Sequence, residues 1–113
     1  MCRRGRDNRG SGDTGQIGDA CAMALKNLMG LVCDPVGGLV EVPCVKRNVG
    51  GAVNALAAAD MALAGITSKI PVDQVIDAMK EVGDKMDVSL RETGIGGVAG
   101  SPAAMEVVER LDM

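Results

Sequence analysis

The complete absence of aromatic side chains is the feature that most constrains how this chain can fold. Phe, Trp and Tyr are all missing from the 113 residues, although an aromatic side chain buries about 150–250 Å² and dominates most hydrophobic cores. Ala and Gly together supply 30 residues, so close approach of helix backbones has to replace large side chains. We therefore predict an all-α fold of packed Ala/Gly-rich helices that forms part of a larger helical domain.

The missing residue types also exclude several kinds of chemistry. Without His the chain cannot form a Ser-His-Asp triad or a His-ligated zinc site, and without aromatic rings it cannot stack nucleic-acid bases. The net charge is −3, and residues 1–13 carry +2, which leaves −5 on the remainder. Because a nucleic-acid-binding domain is basic where it folds, we predict no nucleic-acid partner.

The sequence lacks a segment typical of export or membrane insertion. The longest apolar window covers about residues 49–64 and is interrupted by Asn54 and Asp60, so it is too short and too polar to span a bilayer. The first residues are rich in Arg and Gly and do not contain the apolar run of a signal peptide. We therefore predict a cytoplasmic protein with no membrane partner, whose four cysteines are free thiols or metal ligands.

Apolar periodicity divides the folded part into four helices. Residues 1–15 hold few apolar side chains and predict a disordered Arg/Gly-rich arm, which leaves residues 16–113 to fold. We predict helices from Ile17 to a Gly30 cap, from Cys44 to about Ala64, from Pro71 to about Met86, and from Ser101 onward. The predicted inward-facing side chains are Ile17, Cys21, Ala24, Leu25 and Leu28, then Val45, Val49, Val53, Leu56 and Leu63, then Val72, Val75, Ile76, Met79 and Val82, and finally Met105, Val108 and Leu111.

Two glycine-rich features refine this prediction. The second helix is small or apolar nearly all round, which is typical of a helix that is buried. The run at residues 94–97 contains three glycines but follows no apolar strand, so it predicts a structural turn rather than a dinucleotide site.

The loop at residues 31–44 contains the residues best suited to chemistry. It holds two Pro and two adjacent Gly, which forbid a continuous helix, and it carries Cys33 and Cys44. Thiolates on irregular backbone suit an iron–sulfur cluster. Spacing alone leaves other interpretations open, namely two inert thiols or half of a structural zinc site.

Three polar residues follow this loop at the start of the second helix. Lys46 and Arg47 oppose the helix dipole there, at a cost of about 0.3–1 kcal/mol each. A bound anion would explain the misfit, so we predict that Lys46, Arg47 and Asn48 bind a carboxylate or phosphate group of a substrate. The alternative is that the two cations are exposed solubilising residues.

At these residues the sequence resembles a known family. Residues 31–48 read LVCDPVGGLVEVPCVKRN, which closely resembles the α chain of the bacterial iron–sulfur-dependent L-serine dehydratases. The likeness covers roughly residues 17–105, so residues 16–113 are expected to be the C-terminal part of that family's helical domain, and the first 15 residues are expected not to match.

The resemblance implies a pyridoxal-independent lyase that converts L-serine into pyruvate and ammonia. It implies a [4Fe-4S] cluster held by three cysteines, two of which match Cys33 and Cys44, whereas the third is expected to lie outside this chain. It also implies a β-chain partner, a homo-oligomer, and a place in serine catabolism and gluconeogenesis. We expect little dehydratase activity from this chain alone, and no residue can be named as the catalytic base.

Two other functions remain open at this point. An L-cysteine desulfidase would apply similar chemistry to a thiol leaving group. A non-catalytic helical module would carry Cys33 and Cys44 as ordinary thiols or as part of a zinc site.

Overall fold

A computed structural model describes residues 13–111, and this part of the chain is all-α, as predicted. Its helices are α1 (Thr14–Leu28), α2 (Cys44–Leu63), α3 (Val72–Lys85) and α4 (Pro102–Leu111). Three short 3-10 turns, Val36–Gly38, Val88–Leu90 and Gly97–Gly100, connect them. Within the described range the β structure amounts to one isolated parallel bridge between Cys33 and Arg91.

Helix α1 begins earlier than the apolar pattern predicted. Asp13 caps it through a reciprocal pair of hydrogen bonds: Gln16 N–H donates to Asp13 Oδ1 at 2.8 Å, and Asp13 N–H donates to Gln16 Oε1 at 3.0 Å. Such a capping box satisfies two N–H groups that the helix leaves unpaired. Thr14 and Gly15 therefore lie in α1 and Asp13 caps it, while the rest of the predicted arm lies outside the described residues.

The core between α1 and α2 consists mainly of alanine side chains, as the composition predicted, together with two methionines. Met23, Ala58 and Ala62 are buried together, and Ala20, Ala24 and Met61 pack around them. Asn54 on α2 donates through Nδ2 to the Ala24 carbonyl oxygen at 2.9 Å, and its Oδ1 accepts from Asn27 Nδ2 at 2.9 Å. Alanine lets the two helix backbones approach closely enough for these bonds to form.

The predicted apolar stripe of α2 does not face this core. Val45, Val49, Val53 and Leu56 are each more than half exposed, and the prediction that α2 is a buried helix is wrong for the described residues. The error has a physical cause. Both faces of α2 are apolar or small, and α1 packs on the alanine face because that face permits the closer approach.

The inward faces of the other helices are confirmed only in part. Val75 on α3 is buried as predicted, whereas Ile17, Met105 and Leu111 are exposed. A second small core joins Val36, Ala99 and Ala104, with Val108 packed against it. It brings α4 against the turns that precede it in the chain.

The described part of the chain is elongated and thin. Its extents are 63 × 29 × 14 Å. This shape leaves many large apolar side chains exposed, Val49 and Leu56 among them. No helix in residues 13–111 is long and apolar enough to cross a membrane.

Candidate functional site

The loop between α1 and α2 brings the thiols of Cys33 and Cys44 into proximity. Cys33 is fixed by a short bridge: its N–H donates to the Leu90 carbonyl oxygen at 2.9 Å, and its own carbonyl oxygen accepts from Glu92 N–H at 2.7 Å. Cys44 is the first residue of α2. Both cysteines are half-buried, so the pair can be reached from solvent.

The glycines and prolines of this loop fold it back on itself. Gly37 and Gly38 have φ values of 62° and 73°, a left-handed conformation that glycine adopts without the steric cost of a Cβ atom. The reversal lets Val36 N–H donate to the Val42 carbonyl oxygen at 2.9 Å, which closes the loop just before Cys44. The prediction of an ordered loop rather than a strand is confirmed.

The surroundings of Cys33 hold its thiol in the protonated form. Burial raises the pKa of Cys33, and the neighbouring Glu92, Cys44 and Asp34 side chains raise it further. A thiolate is needed to bind a metal, so binding at Cys33 near neutral pH has to release a proton. Glu92 has a φ of 62°, uncommon for a residue other than glycine, and it lies directly beside the bridge that holds Cys33.

A buried ion pair joins Asp34, in the loop at residues 31–44 (the cysteine loop), to Arg47 in the first turn of α2. Asp34 is only 1% exposed, and its carboxylate accepts from Arg47 Nη1 and, at 2.6 Å, from Val98 N–H. The same Arg47 nitrogen donates to the Val32 carbonyl oxygen at 2.9 Å. Burial alone would raise the pKa of Asp34, but these hydrogen bonds and the Arg47 charge outweigh it and hold the pKa below its ordinary value.

The three residues predicted to bind a substrate carboxylate have different surroundings. Lys46 is exposed, Asn48 donates through Nδ2 to the Cys44 carbonyl oxygen at 3.0 Å, and Arg47 is paired with Asp34. An anion does offset the misfit between Arg47 and the helix dipole, and it is the Asp34 carboxylate of the chain itself. The charge of Arg47 is thus compensated within the chain, and a role for Lys46, Arg47 and Asn48 in substrate binding stays a prediction.

Sequence reasoning missed Asp34. The available signal was an acidic residue between a candidate ligand, Cys33, and Pro35, in a loop with several apolar neighbours. A charged residue in such a loop needs a partner when the loop is buried. Its partner lies 13 positions along the chain, a separation that only the tertiary fold reveals.

A comparison with protein families matches residues 9–99 to the family described as Serine dehydratase alpha chain. The chain belongs to this family. The predicted resemblance is confirmed, but the match begins at residue 9, so the expectation that the first 15 residues would not match was wrong for residues 9–15. No solved structure matches the chain.

Curated relatives carry the same description. The chain is 64% identical over 90 residues to a probable L-serine dehydratase alpha chain of Latilactobacillus sakei, covering 80% of this chain and 43% of the relative. It is 62% identical over 96 residues to a probable L-serine dehydratase alpha chain of Bacillus subtilis, covering 85% of this chain and 32% of the relative. It is 50% identical over 88 residues to an L-serine dehydratase alpha chain of Peptoniphilus asaccharolyticus, covering 78% and 30%. The chain therefore spans less than half the length of these relatives.

Proposed function

We propose that this chain functions as part of an L-serine dehydratase, a lyase that converts L-serine into pyruvate and ammonia. The observation that supports this most strongly is the pair of accessible thiols, Cys33 and Cys44, held together by an ordered loop in a member of the serine dehydratase alpha chain family. The family identifies the reaction, and the thiol pair is the part of the chain best suited to take part in it.

The thiol pair fits a [4Fe-4S] cluster as two of its ligands. Thiolates are the usual ligands of iron–sulfur clusters, and these two thiols come from different segments and lie close enough for Cys44 to act on the pKa of Cys33. Both are partly exposed, so a cluster can reach them from solvent. When bound, such a cluster supplies an iron that acts as a Lewis acid toward the serine hydroxyl group.

The residues around the pair perform the supporting tasks. Cys33 gives up its proton when it becomes a ligand, and Cys44 lies at the N-terminal end of α2, which is the positive end of the helix dipole. Lys46 is exposed in this turn and offers a positive charge to the carboxylate of L-serine. Asn48 lies one turn beyond Cys44, and its side-chain N–H donates to the Cys44 carbonyl oxygen.

We further propose the cellular setting that the resemblance implies. The relatives are named as alpha chains, which supports a multi-subunit enzyme with a β chain as the partner and a homo-oligomer as the complete assembly. The substrate is L-serine, and the reaction serves serine catabolism and gluconeogenesis in the cytoplasm. Nucleic acid and membrane are not proposed as partners.

The test is a chimera in which this chain replaces the 96 residues that it matches in the Bacillus subtilis relative. The chimera is prepared without oxygen together with the β chain of the Bacillus subtilis enzyme, supplied with iron and sulfide, and assayed for pyruvate formation from L-serine and from L-cysteine. We expect turnover of L-serine, with loss of at least 100-fold in the Cys33→Ser and Cys44→Ser chimeras. Cys21→Ser, which changes an exposed thiol on α1, is the matched control and should retain activity.

Two outcomes would contradict the proposal. Preferential turnover of L-cysteine would identify a desulfidase. A folded chimera that keeps its helical content but turns over neither amino acid, or whose activity is unchanged by Cys33→Ser, would identify a helical module whose thiols take no part in the reaction.

A further inference from the structure

Asp34 is the one polar side chain among residues 13–111 that is buried, and it is also the largest side chain that is fully covered. A carboxylate away from water is costly unless it is paired and hydrogen-bonded. Here each oxygen has a partner, one Arg47 Nη1 and the other Val98 N–H. Because both of its oxygens are hydrogen-bonded, the Asp34 side chain is held in one place, which suits a structural role.

The pair connects three separate segments of the chain. Asp34 belongs to the cysteine loop, Arg47 to the first turn of α2, and Val98 to the 3-10 turn before α4. The segments approach so closely at Gly97 that a Cβ atom there would overlap the Asp34 carboxylate. The ion pair therefore lies at a junction where the loop, α2 and the Gly-rich turn meet.

Arg47 is connected to the surroundings of both thiols. Arg47 holds Val32 through its carbonyl oxygen and Asp34 through its carboxylate, and these two residues flank Cys33 directly. Arg47 also lies three residues after Cys44, so the two share one face of α2. The Arg47 guanidinium group thus bonds to the residues on both sides of Cys33, and Arg47 belongs to the same helical turn as Cys44.

We propose that the Asp34–Arg47 pair is a positioning device that sets the separation of the Cys33 and Cys44 thiols. Asp34 and Arg47 act through the backbone of the cysteines and need not touch a substrate. The role of the thiols as cluster ligands rests on the proposed function, but the positioning of the thiols does not.

The choice of residues fits this task. Both hydrogen bonds come from Arg47 Nη1, whose two N–H groups diverge in the plane of the guanidinium group and reach the Val32 carbonyl oxygen and the Asp34 carboxylate at once. A lysine would keep the positive charge, but its nitrogen lies one bond closer to the backbone and is not held in a plane. An asparagine at position 34 would keep the size of the side chain and lose the charge.

The test measures how closely the thiols are held, without iron or serine. The full chain, with Cys2 and Cys21 replaced by Ser, is equilibrated with mixtures of reduced and oxidised glutathione. Two protein thiols are oxidised to one disulfide while one glutathione disulfide is reduced to two glutathione thiols. The equilibrium gives the effective concentration of the Cys33–Cys44 pair.

We expect Asp34→Asn and Arg47→Lys to lower this effective concentration by at least tenfold, which corresponds to a reduction potential about 30 mV higher. Asp84→Asn is the matched control, because it removes the exposed Lys80–Asp84 pair on α3 and should leave the value within twofold. Circular dichroism under the same conditions reports whether each variant keeps the helical content of the parent.

Three results would overturn the proposal. The first is an effective concentration within twofold of the parent in a variant that keeps its helical content. The second is an equal loss in Asp84→Asn, which would indicate a general effect of removing an ion pair. The third is loss of helical content in both Asp34→Asn and Arg47→Lys, which would make the pair a determinant of folding rather than of thiol position. A chimera without dehydratase activity would leave the positioning result intact, so the two proposals fail separately.

Discussion

Replacing Gly97 with Ala should weaken the fold through the buried carboxylate of Asp34. Gly97 has a φ of 61°, and a Cβ atom built there would overlap the Asp34 carboxylate and lie 2.9 Å from Asp34 Cβ. Both neighbours belong to a side chain that is fully covered and doubly hydrogen-bonded, so neither can move freely. The substitution therefore imposes a backbone strain and a displacement of the ion pair.

The expected magnitude can be worked out from these two contributions. An L-residue in the left-handed conformation costs about 1–2 kcal/mol, of which the smaller entropy of the unfolded alanine chain returns about 0.4–1 kcal/mol. Displacing Asp34 loses its hydrogen bond from Val98 N–H, and hydrogen bonds to charged groups contribute about 1.5–3 kcal/mol. We expect Gly97→Ala to lower the free energy of unfolding by about 3 kcal/mol in total.

Gly38 provides the matched control. Its φ is 73°, and no atom lies within 4 Å of the Cβ that Ala would add, so Gly38→Ala experiences the backbone strain without the collision. Urea denaturation followed by circular dichroism measures both variants. The difference between them should be about 1.5–3 kcal/mol, and a difference below about 0.5 kcal/mol would refute the structural role given to the Asp34 junction.

Three further predictions concern the core, the buried carboxylate and the thiol. Met23→Ala should lower the free energy of unfolding by about 2–4 kcal/mol in urea denaturation, because Met23 is buried between α1 and α2, whereas Ile17→Ala on the exposed face of α1 should cost under about 0.5 kcal/mol. The folded-state pKa of Asp34 is lowered, so its contribution to stability is present above the unfolded value of about 3.9 and is lost as the pH falls below it. Urea denaturation between pH 7 and pH 3 should therefore show a smaller acid-induced loss in Asp34→Asn than in the parent, and an identical loss would contradict the assignment. Glu92→Gln should lower the pKa of Cys33 and thus speed its alkylation by iodoacetamide near pH 8, as mapped by peptide mass spectrometry; an unchanged rate would show that the Glu92 charge does not act on this thiol.

The helices could be predicted from the sequence because their ends are marked locally. Gly30 and Gly65 end α1 and α2 with φ values of 89° and 95°, and Pro71 precedes α3 directly. The buried faces could not be predicted in the same way, since large apolar side chains mark a face that can be buried and not the neighbour that covers it. In α2 the alanine face is buried because α1 approaches it more closely, and Val49 and Leu56 on the other face stay exposed.

In the candidate site, too, the locally determined part could be predicted and the tertiary contacts could not. The cysteine loop was predictable because Pro and Gly fix its local geometry and the two thiols lie within one short segment. The partner of Arg47 was not, because Asp34 reaches it only after the loop has folded back and the turn at Val98 has docked. The unfavourable position of Arg47 near a helix N-terminus did indicate an anion, but it could not show that the anion belongs to the chain.

The iron content of the Bacillus subtilis chimera, measured by native mass spectrometry after reconstitution without oxygen, shows whether Cys33 and Cys44 hold a cluster. We predict a bound mass of iron and sulfide in the parent chimera and in Cys21→Ser, and its loss in Cys33→Ser and in Cys44→Ser. Equal amounts of bound iron and sulfide in the parent and in Cys33→Ser would contradict the claim that the paired thiols of this loop hold the cluster.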